Sequence, residues 1–196
     1  ISSVSYPIVL GHEFCGDIVE VGPGAGDLKV GDYVISEASW GCGLCYFCKR
    51  GQPSYCEDPR MYGRTCDGAL AEYVKSPAKV IHKIQPDVDP VEAQAATAVA
   101  TALRAVRKAN IKVGQSVAIL GAGHSGAMLT QLVKMSGAFP IIVTEAVAER
   151  LELALSLGAD HGINVREDGW MERILQETGG YGVDVVIEAT GRQIGR

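Results

Sequence analysis

Four closely spaced cysteines constrain the fold of this chain more than any other feature: Cys42, Cys45, Cys48 and Cys56 are separated by two, two and seven residues. Thiolates are strong zinc ligands, and four of them complete a tetrahedral site with no position left for a substrate. A pair of disulfide bonds is disfavoured, because cysteines three residues apart rarely reach bridging geometry without strain. The spacing predicts a structural zinc site in a loop, here called the zinc lobe (residues 40–60), and chemistry located elsewhere.

Composition limits the possible partners and compartments. The 196 residues carry a formal net charge of −5 without a basic block, which argues against a nucleic-acid surface. No apolar run is long enough to cross a bilayer, and the opening residues lack the pattern of a signal peptide. Clustered thiols without a secretion signal indicate a reducing cytosol, so we expect a cytoplasmic protein. The remaining cysteines, Cys15 and Cys66, are expected to be small buried hydrophobic residues.

The first part of the chain has the pattern of a small β domain. Four segments favour strands and are bounded by Gly and Pro turns: residues 14–21, 30–35, 69–75 and 79–84. Short strands of this kind predict a barrel-like β domain, with the zinc lobe as an inserted loop. Trp40 and Tyr62 are expected to be packing aromatics, and Asp67 a solvated loop acid.

The pattern changes at Asp89, which is a good N-cap before Pro90 at the first helical position. An Ala-rich helix is predicted from there to Asn110. Beyond Gly114, strands and helices alternate: strands at 116–120, 140–144, 161–165 and 183–189, and helices at 125–136, 147–157 and 168–178. This alternation predicts a parallel doubly wound sheet.

We therefore predict an α/β chain of two domains. Residues 1–113 form a β domain that carries the zinc lobe at 40–60 and a connecting helix at 90–110. Residues 114–196 form the first half of a Rossmann dinucleotide-binding domain, because such a sheet needs two βαβαβ halves and only one is present.

A glycine-rich turn follows the first strand of the predicted parallel sheet: Gly121-Ala122-Gly123-His124-Ser125-Gly126 matches G-x-G-x-x-G. In this context Gly121 permits the tight turn, Gly123 lets a pyrophosphate touch the backbone, and Gly126 lets helix and strand pack closely. The phosphates would face the helix N-terminus at His124 and Ser125, where backbone amides are free. An ordinary strand–helix turn is the alternative.

Polar residues follow two later strands. Glu145 ends the second strand, where a carboxylate can accept hydrogen bonds from the ribose hydroxyls of NAD. The alternative is a solvated glutamate at the start of a helix, where negative charge is favoured. Thr190 and Gly191 follow the last strand, at the carboxyl edge of the sheet where ligands bind.

Taken together, these motifs resemble the zinc-dependent medium-chain alcohol dehydrogenases. The resemblance is carried by Gly11-His12-Glu13, the zinc lobe, Asp67-Gly68-Ala69-Leu70-Ala71-Glu72-Tyr73-Val74, and the segment 117–191. It implies a GroES-like β-barrel catalytic domain before the Rossmann domain, hydride transfer between a small-molecule alcohol and NAD, and a homodimer or homotetramer. A chain of this family would begin earlier and continue further, so we expect part of a longer protein.

The resemblance also implies a catalytic zinc. His12 would bind this zinc, and Glu13 would be a ligand or a neighbour of one. The first ligand of the family, a cysteine, would precede Ile1. The third ligand position corresponds to Thr97, and threonine is a poor zinc ligand. Without the resemblance, a hydrogen-bonded structural histidine is the better interpretation of His12.

Two further assignments come from the resemblance. Thr101 corresponds to a threonine that contacts the nicotinamide, and Arg150 to a basic residue beside the adenosine ribose. The alternatives are a helix-surface threonine and a solvated arginine on a helix. Polyol, threonine and secondary-alcohol dehydrogenases share these motifs, although the segments at Trp40 and Asp89 look most similar to the simple-alcohol branch. Two rival hypotheses are a zinc-free reductase of this superfamily and a zinc-stapled dinucleotide-binding protein without catalysis.

Overall fold

The computed structural model describes residue 4 and residues 6–191 of the chain. These residues form two compact units, one within Ile1–Thr97 and the other within Ala98–Arg196. Among the described residues, no helix has both the length and the apolar character needed to cross a membrane.

The first unit contains two small antiparallel sheets. In one of them, strand β2 (Tyr33–Ser36) lies between β1 (Cys15–Asp17) and β5 (Ile81–Lys83). In the other, β3 (Ser39–Trp40) pairs with β4 (Arg60–Met61). The strands are shorter than the predicted segments 14–21, 30–35 and 79–84, but they confirm a β domain of short strands with the zinc lobe inserted between β3 and β4. Their pairing is antiparallel.

Short helical elements complete the first unit: helix α1 (Tyr46–Lys49), the 3₁₀ turns Pro53–Tyr55 and Ala78–Val80, and helix α2 (Pro90–Gln94). The predicted N-cap is confirmed, because Oδ1 of Asp89 accepts a hydrogen bond from the Val91 amide at 2.8 Å. The helix predicted from there to Asn110 is divided in two, because a turn at Ala95 separates α2 from helix α3 (Ala96–Ala109).

The predicted strand at residues 69–75 is wrong, because these residues form bends and irregular backbone. The reason lies in the partners of their amides. The Ala69 amide donates to the Gly11 carbonyl at 3.1 Å, and the Leu70 amide donates to the Leu10 carbonyl at 2.9 Å. These amides bind the loop before β1 and are not part of a strand ladder.

The expectation that Cys15 and Cys66 are buried is only partly right, because both side chains are half-buried. The Tyr33 hydroxyl donates to the Cys15 sulfur at 3.3 Å, and this hydrogen bond raises the pKa of Tyr33 to about 12. Burial raises the pKa of Cys66 above its ordinary value. The hydrogen bond at Cys15 and the burial of Cys66 fit a structural role for both residues.

The second unit is built on a four-stranded parallel sheet in the order β8-β7-β6-β9. Its strands are β6 (Val117–Leu120), β7 (Ile141–Glu145), β8 (His161–Asn164) and β9 (Val185–Glu188). The connecting helices are α4 (His124–Met135), α5 (Ala148–Ser156) and α6 (Trp170–Glu177). The predicted alternation is confirmed, with element ends displaced by one or a few residues.

The core of the second unit lies along its two inner strands. Five residues are fully buried there: Val117, Ile119, Ile141, Ile142 and Val143. Such continuous apolar strands are typical of parallel sheets covered on both faces. Ala102 and Val106 of α3 belong to the same core. The domain boundary at 113/114 remains a prediction, and the compact units divide earlier, within α3.

Acidic side chains fasten the amino ends of the strands. Oδ2 of Asp184 accepts hydrogen bonds from the amide and the hydroxyl of Ser116, both at 2.8 Å. Oδ2 of Asp160 accepts from the Ile141 amide at 2.8 Å. These contacts fix the amino ends of neighbouring strands, and the opposite, carboxyl edge carries the candidate ligand site.

The contact between helix α4 and the turn after strand β6 generates the first prediction. A Cβ atom at Gly126 would lie 2.0 Å from the Gly121 carbonyl oxygen. Replacing glycine by alanine inside a helix ordinarily stabilises it by about 1 kcal/mol. Here the clash with fixed backbone reverses the sign, and we expect Gly126→Ala to destabilise the protein by about 2–3 kcal/mol.

Thermal and urea unfolding of the full-length protein measure this effect. Gly123→Ala is the matched control, because Gly123 has φ −70° and its added Cβ would meet no atom within 4 Å. We expect the control to unfold like the wild type. A Gly126→Ala variant as stable as the control would contradict the close contact.

Candidate functional site

The four cysteines of the zinc lobe converge on one point. Their sulfur atoms all lie within 4.8 Å of one another, and the sulfurs of Cys45 and Cys56 are 3.8 Å apart. A tetrahedron with Zn–S bonds of about 2.3 Å has sulfur–sulfur distances of about 3.8 Å. All six cysteines are free thiols, which argues against the disulfide alternative.

Backbone amides point at the sulfur of Cys42. The amides of Leu44 and Cys45 each donate to this sulfur at 3.4 Å, and the Cys42 amide donates to the sulfur of Cys56 at 3.2 Å. The amides of Leu44 and Cys45 lower the pKa of Cys42. The loop therefore stabilises thiolate, which is the form that binds metal.

The pKa values of Cys45 and Cys48 are shifted in opposite directions. The amides of Cys48 and Glu57 lower the pKa of Cys45 to about 6. At Cys48 the Gly43 amide lowers the pKa, but burial and the neighbouring cysteines outweigh it and raise the value to about 12. Four negative charges cannot gather this closely without a cation. The arrangement therefore fits a zinc ion.

Glycines make the lobe tight enough for this geometry. A Cβ at Gly41 would lie 2.5 Å from the Cys48 sulfur, and Gly43 has φ +82°. Lys79 ties the lobe to the strands, because its Nζ donates to the Gly41 carbonyl at 3.0 Å.

His12 and Glu13 lie in the irregular segment before β1, and both side chains are exposed. Within the part of the chain that the structure describes, they belong to no group of three or more possible metal ligands. Thr97 lies half-buried in the first turn of α3, and Thr101 is exposed one turn later on the same side of the helix. The catalytic zinc and these threonine roles therefore remain predictions.

The glycine-rich turn joins β6 to α4 as its sequence predicts. Gly121 has φ +101°, a conformation that favours glycine. A Cβ there would also lie 3.1 Å from the backbone of Thr190. The turn therefore packs both on α4, through Gly126, and on the segment after β9. Gly123 faces open space, as a residue that meets a pyrophosphate must.

A groove of about 340 Å³ borders this turn. The predicted residues Gly123, His124 and Arg150 line it, and His124 and Ser125 are exposed on the first turn of α4. The sequence interpretation missed other lining residues: Ala127, Met128, Gln131 and Leu153. Ala127, Met128 and Gln131 follow His124 at helical spacing on α4, and Leu153 follows Arg150 by three residues on α5. This spacing was the available signal, but it is also the spacing of ordinary core residues.

Glu145 lies at the carboxyl end of β7, beside the turn. Its Oε2 accepts from the Ala122 amide at 3.1 Å, and its Oε1 accepts from the Ala146 amide at 2.7 Å. The Arg150 guanidinium is 3.7 Å from Oε2. Partial burial acts to raise the pKa of Glu145, but the amides of Ala146 and Ala122, together with Arg150, lower it below its ordinary value. The carboxylate is ionised and held in place.

Thr190 lies beside the same turn, after β9. Both its amide, at 2.6 Å, and its hydroxyl donate to Oε1 of Glu188. The hydroxyl and the amide of Thr190 lower the pKa of Glu188. The sequence interpretation missed Glu188, although an acid at the end of an apolar strand is the same signal that identified Glu145.

The sheet topology brings these residues together. The chain runs outward from β6 to β7 and β8, then crosses to β9 on the other side of β6. Ligands of doubly wound sheets bind at such a switch point, outside the carboxyl ends of the strands. The open face at Gly123, the start of α4 and the Glu145 carboxylate fit a dinucleotide there.

Comparison with known proteins gives two family matches. Residues 1–86 match the alcohol dehydrogenase GroES-like domain, and residues 126–194 match the zinc-binding dehydrogenase family. An L-threonine 3-dehydrogenase of Pyrococcus horikoshii is 40% identical over 190 residues, which are 97% of this chain and 54% of that protein. An erythritol/L-threitol dehydrogenase of Mycolicibacterium smegmatis is 37% identical over 190 residues, covering 94% and 52%.

Solved structures share the fold. The alcohol dehydrogenase TADH from Thermus sp. ATN1 has a TM-score of 0.88 at 36% identity, covering 96% of this chain and 57% of that chain. A protein described as a zinc-binding dehydrogenase from Sinorhizobium meliloti 1021, bound to NADP, has a TM-score of 0.88 at 34% identity, covering 97% and 56%. The alcohol dehydrogenase rspB from E. coli CFT073, complexed with NADH, has a TM-score of 0.88 at 32% identity, covering 95% and 55%.

This chain spans about half the length of the curated relatives it matches. Over that span it has a GroES-like domain with a four-cysteine lobe and a parallel nucleotide-binding sheet, in the predicted order. The chain belongs to the zinc-dependent medium-chain alcohol dehydrogenase family.

Proposed function

We propose that the protein containing this chain transfers hydride between a small-molecule alcohol and NAD, with a zinc ion at the reacting oxygen. The observation that carries the proposal is the glycine turn at the switch point, with the ionised Glu145 held 3.1 Å from the Ala122 amide. This arrangement places a ribose acceptor beside the phosphate-binding turn. Family membership supplies the reaction type.

The residues of this chain have distinct roles in the proposal. Gly123 and the first turn of α4, with His124 and Ser125, bind the pyrophosphate. Glu145 binds the adenosine ribose, with Arg150 beside it. Thr190 and Gly191 border the cofactor at the end of β9.

His12, Glu13 and Thr101 act at the reacting end. His12 offers an imidazole nitrogen to the catalytic zinc, with Glu13 as a ligand or a neighbour of one. When bound, zinc supplies Lewis-acid polarisation of the alcohol oxygen. Thr101 contacts the nicotinamide. The lobe zinc of the four cysteines is closed to substrate and stabilises the fold.

The relatives guide the choice of candidate substrates, because they include an L-threonine 3-dehydrogenase and an erythritol/L-threitol dehydrogenase. A polyol or hydroxy amino acid is therefore as good a candidate as a simple alcohol. We also propose a cytoplasmic location and a homodimer or homotetramer. The second candidate function is dinucleotide binding without catalysis, which Thr97 at the third ligand position favours.

The test of the proposed function is a substrate panel. The full-length protein, loaded with zinc, is assayed for NADH formation with L-threonine, tetritols, and primary and secondary alcohols. Alcohol-dependent NADH formation that chelators abolish is the expected result. Tight NADH binding without turnover on any of these substrates would support the non-catalytic candidate.

The cysteine geometry generates a prediction about metal content. Cys45→Ser removes one of four ligands, so we expect the lobe zinc to be lost and the unfolding temperature to fall. Metal bound to four thiolates supplies on the order of 10 kcal/mol in small zinc domains. Zinc analysis and thermal unfolding measure the effect.

Ser54→Ala is the matched control for Cys45→Ser, because Ser54 is an exposed residue of the same lobe outside the cluster. At a temperature where Cys45→Ser is folded, its turnover should stay close to wild type. Unchanged zinc content and stability in Cys45→Ser would contradict the assignment.

The open space at Gly123 generates a second prediction. Gly123→Ala should fold normally, yet its methyl group occupies the surface that a pyrophosphate must touch. We expect NADH affinity to fall at least about tenfold, which corresponds to about 1.4 kcal/mol. Fluorescence titration with NADH measures this, and wild-type affinity in a normally folded variant would exclude the turn from the cofactor site.

The Glu145 carboxylate generates a prediction about cofactor choice. It can accept hydrogen bonds from two ribose hydroxyls but repels the 2′-phosphate of NADP, so NAD should be preferred. Solved relatives bind either cofactor. Glu145→Ser should reduce the preference for NAD over NADP by a few kcal/mol at most. Values of kcat/KM for both cofactors measure it.

Glu145→Gln is the control that separates charge from hydrogen bonding, because its amide oxygen can still accept from the Ala122 or Ala146 amide. Glu145→Gln should reduce the preference for NAD over NADP and should bind NAD more tightly than Glu145→Ser does. Equal or better use of NADP by the wild type would exclude this role for Glu145.

A further inference from the structure

The segment of residues 62–70, here called the clamp, holds the backbone just before His12. The Gly68 amide donates to the Val9 carbonyl at 2.8 Å, and the Val9 amide donates to Oδ1 of Asp67 at 3.0 Å. The Ala69 amide adds a hydrogen bond to the Gly11 carbonyl at 3.1 Å. The clamp therefore binds the backbone at Val9 and Gly11, in the segment that leads to His12.

Glycines allow the clamp to come unusually close. A Cβ at Gly68 would lie 2.2 Å from the Gly11 carbonyl oxygen, and one at Gly63 would lie 2.8 Å from the Gly11 nitrogen. Gly11 itself has φ +93°, which favours glycine. Both partners are backbone, so the position of Gly11 is fixed by contact as well as by hydrogen bonds.

The clamp also holds the residue just after Glu13. The ring of Phe14 meets the ring of Tyr62 edge-to-face, with centroids 5.4 Å apart. Tyr62 is 1% exposed, and its other neighbour is the Trp40 ring at 4.9 Å. The Tyr62 hydroxyl donates to Ser76, so the ring is held at both ends.

From these contacts we infer that Asp67 and Tyr62 are positioning residues for His12. The inference rests on the proposed role of His12 at the catalytic zinc. His12 and Glu13 are exposed, so their own side-chain packing does little to orient them. Their direction depends on the fixed points on either side, Gly11 and Phe14, and the clamp holds both. A metal ligand must be held close to its productive geometry for full activity.

The test is made on Asp67 in the full-length, zinc-loaded protein. Asp67→Ala removes the acceptor of the Val9 amide, and we expect kcat to fall about 10- to 100-fold. The KM for NAD should be unchanged. Asp67→Asn retains an amide oxygen as acceptor and should restore most of the turnover, whereas a role for the negative charge itself would make the two variants equally poor.

Hydrogen exchange supplies a readout that does not depend on activity. In Asp67→Ala, the amides of residues 8–14 should exchange faster, while those of the zinc lobe keep their protection. Asp87→Ala, which removes an exposed acid of the same unit, should change neither exchange nor turnover. Tyr62→Phe keeps the ring contacts and loses only the hydrogen bond to Ser76, so its turnover should fall less than that of Tyr62→Leu. Tyr62→Leu should resemble Asp67→Ala.

The outcomes separate this inference from the proposed function. If His12→Ala abolishes turnover while Asp67→Ala has wild-type kcat and exchange, the inference is wrong and the function stands. If His12→Ala retains full turnover, the proposed role of His12 is wrong, and the positioning of His12 by the clamp for catalysis is wrong with it. Loss of kcat and protection in Asp67→Ala, with rescue in Asp67→Asn, supports both.

Discussion

Close approach of one backbone segment to another, in a space too small for a Cβ atom, sets the geometry of both candidate sites. In the first unit Gly68 packs against the Gly11 carbonyl, and this contact fixes the backbone before His12. In the second unit Gly126 packs against the Gly121 carbonyl, and this contact fixes the turn that borders the candidate dinucleotide site. Backbone contacts of this kind are rigid, because neither partner can rotate away as a side chain can. Each candidate site therefore carries its exposed residues, His12 and Glu13 in one and His124 and Ser125 in the other, beside backbone that is fixed by these contacts.

The described residues of the two units are held together in different ways. Among the described residues of the first unit, only four hydrophobic side chains are buried: Val34, Tyr62, Val80 and Ala93. The second unit buries a continuous set along its parallel strands and holds no comparable cysteine cluster in the part described. A bound metal adds stability through its ligands, independently of buried apolar area. Lys79, in the 3₁₀ turn before β5, donates to the Gly41 carbonyl and so connects the lobe to that turn.

Local patterns in the sequence predicted much of this structure. The cysteine spacing, the strand–glycine–helix order at Gly121 and the Asp89 cap each depend on neighbours within a few residues, and each is found as predicted. The predicted strand at residues 69–75 failed because Ala69 and Leu70 bind Gly11 and Leu10, nearly 60 positions earlier. The role of Asp67 was missed for the same reason, because its partner, the Val9 amide, lies 58 positions earlier. Glu188 differs, because its partner Thr190 is only two residues away and an acid at the end of an apolar strand was a signal that the sequence carried.

The central claim is that one zinc site stabilises the chain and a second, separate zinc site at His12 carries the chemistry. Zinc analysis of the full-length wild-type protein and of its His12→Ala variant tests this claim most directly. The account predicts two zinc ions per chain in the wild type, and one in His12→Ala together with retained NADH binding and no alcohol oxidation. Equal zinc content in the two proteins, with undiminished turnover in His12→Ala, would contradict it.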